Sequence, residues 1–152
     1  MLTCVPKSLC SWDYRVLGAI GPATLTFNYF TEQGSIALNH MVLAVRKHGP
    51  LSGYWTLERD GEIFAHARKP SAMFRVFEVT AADLQFIVTA GSPFTRCCDI
   101  LSGDRVVGSI RPVHAFTRRA IIECSADVPE LAQLFSFWLI AITWRRAANN
   151  QS

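Results

Sequence analysis

The C-terminal segment constrains the fold of this chain more than any other feature. Residues 131–144 read LAQLFSFWLIAITW, without a single charge. A helical period places six large apolar residues on one stripe: Leu131, Leu134, Phe135, Trp138, Leu139 and Ile142. The reverse side is apolar as well, with Phe137, Ile140 and Trp144. A helix that is apolar on nearly all sides must be buried in protein or in lipid.

Burial in protein is the favoured interpretation of this helix. The uncharged stretch would be about 21 Å long as a helix, shorter than the ~30 Å hydrocarbon core of a bilayer. A tail anchor would also have to carry Arg145 and Arg146 across the membrane. Asp127 and Glu130 predict a capping box, and so a helix over about residues 127–147. A tail-anchored protein is the alternative.

The rest of the chain has the pattern of strands and turns. Between Tyr14 and Cys124, short runs rich in Val, Ile, Phe, Tyr and Thr are separated by Gly, Pro, Asn, Asp and Ser. Asp60-Gly61 and Ser102-Gly103-Asp104 predict tight hairpins, because such residues tolerate positive φ values. Two-residue turns connect antiparallel neighbours, so the sheet is a meander or a barrel.

These two patterns together predict a mainly β fold, a closed antiparallel barrel around the C-terminal helix. A barrel with more than eight strands is too wide for its own side chains to fill, and a helix of ~10–12 Å diameter suits the space. We expect a single domain, with an N-terminal extension over 1–12, the barrel and helix over 13–147 and a disordered tail over 148–152.

Charge and cysteine content suggest a compartment and exclude some partners. The net charge is +3 and no basic stripe is present, so nucleic acid is not an expected partner. The five cysteines are odd in number and lack CxxC spacing, which indicates a reduced cytoplasmic setting. The first residues lack the basic and apolar regions of a secretory signal.

The sequence contains no recognisable catalytic or metal-binding motif. The four histidines lack HxH, HExxH or Cys/His spacing, so neither a metal nor a cofactor is expected. The adjacent cysteines Cys97 and Cys98 would point to opposite faces of a strand, which favours packing over redox chemistry. Common nucleotide-binding and hydrolase signatures are missing too, and no catalytic residue is assigned.

Four segments carry a resemblance to the tubby-like fold of tubby C-terminal domains, phospholipid scramblases and LURP-one-related proteins. They are YWTLERDGEIFAHARK, FRVFEV, DILSGDRVVGSIR and LFSFWLIAITWRR, and the likeness runs from Leu38 to Arg146. It implies about 12 strands around a central helix, and an activity centred on phosphoinositides or phospholipids. The chain lacks the proline-rich arm and calcium-binding carboxylates of scramblases.

The resemblance also suggests where a ligand would bind. Arg68 and Lys69 match basic residues of the tubby barrel wall by motif position, and Arg46 and Lys47 form a second basic pair that the resemblance does not specify. The leading hypothesis is a cytoplasmic binding module, peripheral to a membrane, for anionic phospholipid headgroups. The alternatives are a structural or protein-interaction barrel and an unrecognised enzyme.

Overall fold

The computed structural model describes residues 1–28 and 30–151 and shows a closed barrel of 12 antiparallel strands with one helix. The elements are β1 (Leu2–Pro6), β2 (Tyr14–Leu17), β3 (Ala23–Asn28), β4 (Gln33–Leu38), β5 (Met41–Lys47), β6 (Tyr54–Arg59), β7 (Glu62–Arg68), β8 (Val76–Ala81), β9 (Leu84–Ala90), β10 (Cys98–Ser102), β11 (Arg105–Pro112), β12 (Ala120–Cys124) and α1 (Glu130–Asn149). Each strand pairs with its sequence neighbours, and β1 pairs with β12 to close the ring. The predicted fold class is confirmed.

Alternation along the strands separates the core from the surface. In β8, Phe77 and Val79 are buried while Glu78 between them is exposed. In β6, Trp55 and Leu57 face inwards in the same way. Successive side chains of a strand point to opposite faces, so every second residue reaches the barrel interior.

Helix α1 occupies that interior. Five residues of the predicted core stripe are buried there: Leu134, Phe135, Trp138, Leu139 and Ile142. Leu131 is only partly buried, because it lies in the first turn, where the helix enters the barrel. Burial extends around all sides of the helix, since Phe137 and Ile140 on the reverse side are also inaccessible.

Trp138 fixes the helix to the wall. Its Nε1 donates a hydrogen bond to the carbonyl oxygen of Thr26 in β3 at 3.0 Å, and its ring stacks on Phe27 at 4.7 Å. The two buried hydroxyls of α1 bond within the helix, Ser136 to the Ala132 carbonyl and Thr143 to the Ile140 carbonyl. Among the described residues, no helix combines the length and hydropathy required of a membrane span.

The helix boundaries differ from the prediction. Helix α1 begins at Glu130 after Pro129, whose fixed φ and missing N–H suit a helix start, and no side chain caps it. The expected capping box does not form, since Glu130 accepts a hydrogen bond from the Ile20 amide at 3.0 Å. Asp127 lies 3.9 Å from Arg105 instead. The helix continues to Asn149, two residues into the expected tail.

The N-terminal boundary needs a correction too. The expected extension over residues 1–12 contains β1, which pairs with both β2 and β12. Leu2 and Cys4 of this strand point into the core. The strand has five residues and ends in a proline, so its pattern is too short to recognise. Strands β4 and β5 are separated by a turn where Asn39 has a φ of 56°.

The two ends of the barrel have different connections. At the end where α1 begins, four hairpins turn within two residues: 39–40, 60–61, 82–83 and 103–104. At the end where α1 finishes, six loops of four to seven residues connect the strands: 7–13, 29–32, 48–53, 69–75, 91–97 and 113–119. We call these the turn end and the loop end. Loops of that length carry function more often than tight turns.

Candidate functional site

Two of the four predicted binding residues lie on the outer wall, away from the loop end. Arg46 in β5 pairs with Glu58 of β6, with 2.9 Å between Nε and Oε1. Arg68 in β7 lines a shallow hollow of about 290 Å³ with four neighbours: Tyr54, His66, Glu78 and Thr80. Strand β6 separates the two arginines.

The other two residues lie at the loop end and have partners within the protein. Lys47 Nζ is 2.7 Å from Glu32 Oε2, and only 10% of its side chain is exposed. Lys69 Nζ donates hydrogen bonds to the carbonyl oxygens of Ser71 and Ala72. Burial, with the nearby charges of Arg146 and Arg75, lowers the pKa of Lys69. The four residues therefore do not form one patch.

Three arginines that were not predicted as a group link the loops of the loop end. Arg75 donates to the Thr95 carbonyl at 3.1 Å, and Arg96 donates to the Thr117 carbonyl at 2.7 Å. Arg118 donates to the carbonyls of residues 8, 9 and 11. Each arginine thus holds the next loop of the rim. We call Arg75, Arg96 and Arg118 the arginine relay.

The positive charge of the relay is not neutralised. None of the ion pairs found among residues 1–28 and 30–151 includes a relay arginine. Arg96 lies 4.2 Å above the ring of Trp144, and Arg118 lies 4.9 Å above that of Trp12. Burial and the other two relay charges lower the pKa of Arg96. The three residues border a hollow of about 390 Å³ at the end of α1.

The remaining part of the rim is held by a carboxylate. Glu32 Oε1 accepts from Arg146 Nε at 2.6 Å, while its other oxygen accepts from Lys47. Trp55 Nε1 donates to the Glu32 carbonyl at 3.1 Å. Although burial favours the neutral acid, the hydrogen bonds and charges of Arg146 and Lys47 lower the pKa of Glu32 to about 2. This cluster fixes the last turns of α1 to the wall.

The ionised carboxylate of Glu32 should contribute to the free energy of unfolding at neutral pH. This contribution should disappear in acid, as the carboxylate is protonated. The folded pKa of about 2 lies below the ordinary 4.5, so the contribution is complete above about pH 4.5 and disappears as the pH falls towards 2. We expect Glu32→Gln to lower the free energy of unfolding by about 1–2 kcal/mol at pH 7, after allowing for solvent screening.

Urea unfolding of wild type and Glu32→Gln across that pH range measures the effect. Glu62→Gln, in an exposed position of β7 at the turn end, is the matched control and should change little. A Glu32→Gln deficit that persists unchanged at pH 2.5 would contradict the assignment of the stabilisation to the ionised carboxylate.

Charge is segregated between the two ends of the barrel. The six loops of the loop end contain six basic and two acidic residues: Lys7, Lys69, Arg75, Arg96, Arg118, Arg119, Asp13 and Glu32. Arg145 and Arg146 of α1 add to the same end. The connections of the turn end contain Asp60, Asp83, Asp104 and Asp127 and no Lys or Arg. The loop end is therefore strongly positive and the turn end negative.

The described residues offer little for catalysis elsewhere. Between residues 1 and 151, Tyr29 excepted, no group of three His, Cys, Asp or Glu could hold a metal ion. Burial raises the pKa of Cys98 to about 12, so its thiol stays protonated at neutral pH. His48, Thr56 and Glu58 form a hydrogen-bonded chain on the wall, but Thr56 is only 1% exposed and cannot meet a substrate.

Comparison of the chain with protein-family models, with curated protein sequences and with solved structures gives no match. The residues and distances given above therefore define the candidate site. A sequence signal for it did exist: Phe94-Thr95-Arg96 and Phe116-Thr117-Arg118 are identical triplets, each two residues before a strand.

Proposed function

We propose that this protein is a peripheral binding module for anionic phospholipid surfaces and that the loop end makes the contact. The observation that carries the proposal is the arginine relay, three guanidinium groups whose partners are neutral carbonyls. An anionic leaflet attracts basic residues held at its surface by about 1 kcal/mol for each Lys or Arg. The acidic turn end would be repelled, so attraction would also orient the barrel.

The chemistry of arginine supports phosphate as the recognised group. A guanidinium has five N–H donors in a planar fork. The carbonyl contacts of Arg75 and Arg96 come from single Nη1 atoms, which leaves other nitrogens of each group for an incoming phosphate oxygen. Their attachment to the neighbouring loops holds the guanidinium groups in place before binding, which reduces the ordering cost of binding.

The resemblance to tubby-like barrels favours the same class of ligand but a different location. It points to Arg68, which lies on the outer wall, and to Lys69, which is bound to carbonyls of its own loop, whereas the unneutralised charge of the relay lies at the loop end. Membership of the tubby-like family is likewise a proposal, supported by the closed 12-stranded barrel around a buried C-terminal helix. The wall and the loop end can be separated by experiment.

Co-sedimentation with vesicles tests the function. We expect binding to phosphatidylcholine vesicles that contain phosphatidylserine or a phosphoinositide, little binding to phosphatidylcholine alone, and weaker binding at high salt. The triple variant Arg75→Gln, Arg96→Gln, Arg118→Gln should lose about 100-fold in affinity, since three charges contribute about 3 kcal/mol.

Two controls distinguish charge from folding and the loop end from the wall. The same three positions changed to lysine keep the charge and should retain most of the binding. Arg46→Gln with Arg68→Gln removes two wall charges and should have a small effect. If the wild type binds charged and uncharged vesicles equally, the proposed function is contradicted. If only the wall variant loses binding, the site lies on the wall instead of the loop end.

A further inference from the structure

The loop end also displays large apolar side chains in solvent. They lie in all six of its loops and are 63–98% exposed: Leu9, Phe30, Leu51, Met73, Phe74, Phe94 and Phe116. Exposed apolar residues scattered singly are normal on a protein surface, but a group of them on one face marks an interaction surface. We call these seven residues the apolar tips.

Basic residues accompany the tips along the chain. Phe94 and Phe116 each precede a relay arginine by two residues, and Phe74 directly precedes Arg75. The arginines turn back to the carbonyls of the rim, whereas Phe94 and Phe116 are 95% and 97% exposed. The apolar tips therefore lie in solvent, and the guanidinium groups are held at the rim beside them.

The backbone at several tips is already hydrogen bonded within its own loop. The Met73 amide donates to Ser71 Oγ at 3.2 Å, the Phe94 amide to Ser92 Oγ at 3.2 Å and the Phe116 amide to His114 Nδ1 at 3.3 Å. Removing water from an amide that already has a hydrogen-bond partner costs less free energy than removing water from an unpaired amide. These tips can therefore leave water at a reduced cost.

We propose that the apolar tips insert into the interfacial layer of an anionic bilayer, with the barrel standing on its loop end. The inference rests on the proposed function and specifies how the contact is made. Basic groups at the level of the headgroups and apolar groups beyond them match the two layers of a lipid surface. The tips would reach the upper acyl chains while the relay meets the phosphates.

Charge favours a bilayer over a second copy of the chain as the occupant of this surface. Two copies meeting tip to tip would bring two positive ends together, and like charges oppose such an interface. The turn end provides a comparison within the molecule. Ile20 is 85% exposed there, but it lies at the end whose connections carry acidic residues, which an anionic leaflet repels.

Acyl-chain quenching tests insertion directly. Tryptophan is placed at a tip by Phe116→Trp and at the turn end by Ile20→Trp, and each is compared with wild type. Vesicles contain phosphatidylcholine brominated along its acyl chains together with phosphatidylserine. We expect additional quenching for Phe116→Trp and none for Ile20→Trp. Quenching of neither, with binding intact, would overturn insertion and leave the proposed function standing.

Affinity provides the second measurement. The variant Phe94→Ser with Phe116→Ser should bind phosphatidylserine vesicles about 100-fold more weakly, about tenfold for each phenylalanine, with the remaining binding highly sensitive to salt. Ile20→Ser is the matched control and should bind as wild type. Unchanged vesicle binding, or a change only from dimer to monomer, would overturn insertion. Absence of binding by the wild type would contradict both proposals.

Discussion

Truncation of the chain after Val128 is expected to abolish the folded barrel. The deletion removes α1, whose large apolar side chains fill the space enclosed by 12 strands. Their burial contributes on the order of 15–25 kcal/mol before entropy is subtracted, an upper estimate that exceeds the usual net stability of 5–15 kcal/mol. The strands would then expose an apolar inner face to water.

Near-ultraviolet circular dichroism and size-exclusion chromatography measure this outcome. The truncated chain should be aggregated, or compact without fixed tertiary packing. A truncation after Asn149 leaves α1 complete and should fold as the full chain does. A monomeric chain that ends at Val128 and still unfolds cooperatively would show that the barrel does not need its helix.

Replacement of Gly34 by alanine is expected to cost about 2–6 kcal/mol. A Cβ at this position in β4 would lie 1.9 Å from the carbonyl oxygen of Thr26, a backbone atom that cannot move alone. The same oxygen accepts the hydrogen bond from Trp138 Nε1. The substitution would therefore add overpacking, at about 1–3 kcal/mol, to an unsatisfied buried indole N–H of similar cost.

Gly91 offers a matched control for this prediction. It lies in a loop of the loop end, and a Cβ there would have no atom within 4 Å. Gly91→Ala should therefore leave the free energy of unfolding within about 0.5 kcal/mol of wild type. Urea denaturation followed by tryptophan fluorescence measures both variants. Equal stability of the two variants would show that strands β3 and β4 can move apart to accommodate the added Cβ at a small cost in free energy.

The architecture could be predicted because its causes are local. An apolar helix without charges has few places to be buried, and Asp60-Gly61 forms a hairpin because both residues adopt positive φ, at 52° and 81°. Gly103 at 60° does the same between β10 and β11. Such signals act over a few residues and are legible in one sequence.

The predicted binding residues illustrate what a sequence does not show. Arg46 and Lys47 are adjacent, so they point to opposite faces of β5: the arginine lies on the outer wall and the lysine reaches Glu32 at the rim. The pair is basic in the sequence but divided in space. The binding role of both residues stays a prediction, and the wall variant tests that of Arg46.

The contacts that form the loop end join residues far apart in the chain. Arg118 reaches the carbonyl of Ser11, 107 residues away, and Arg146 reaches Glu32, 114 residues away. No spacing rule connects such positions before the barrel closes. A partial signal does exist, because from residue 60 onwards long basic loops alternate with short acidic connections along the sequence.

Pairing of β1 with β12 has a consequence for synthesis on the ribosome. The first strand made must wait for the last, and the helix that fills the interior leaves the exit tunnel later still. A nascent chain therefore carries unfilled apolar strand faces for most of its translation, and folding through such distant contacts is slow. The newly made strands are therefore expected to be exposed to chaperones until α1 has left the tunnel.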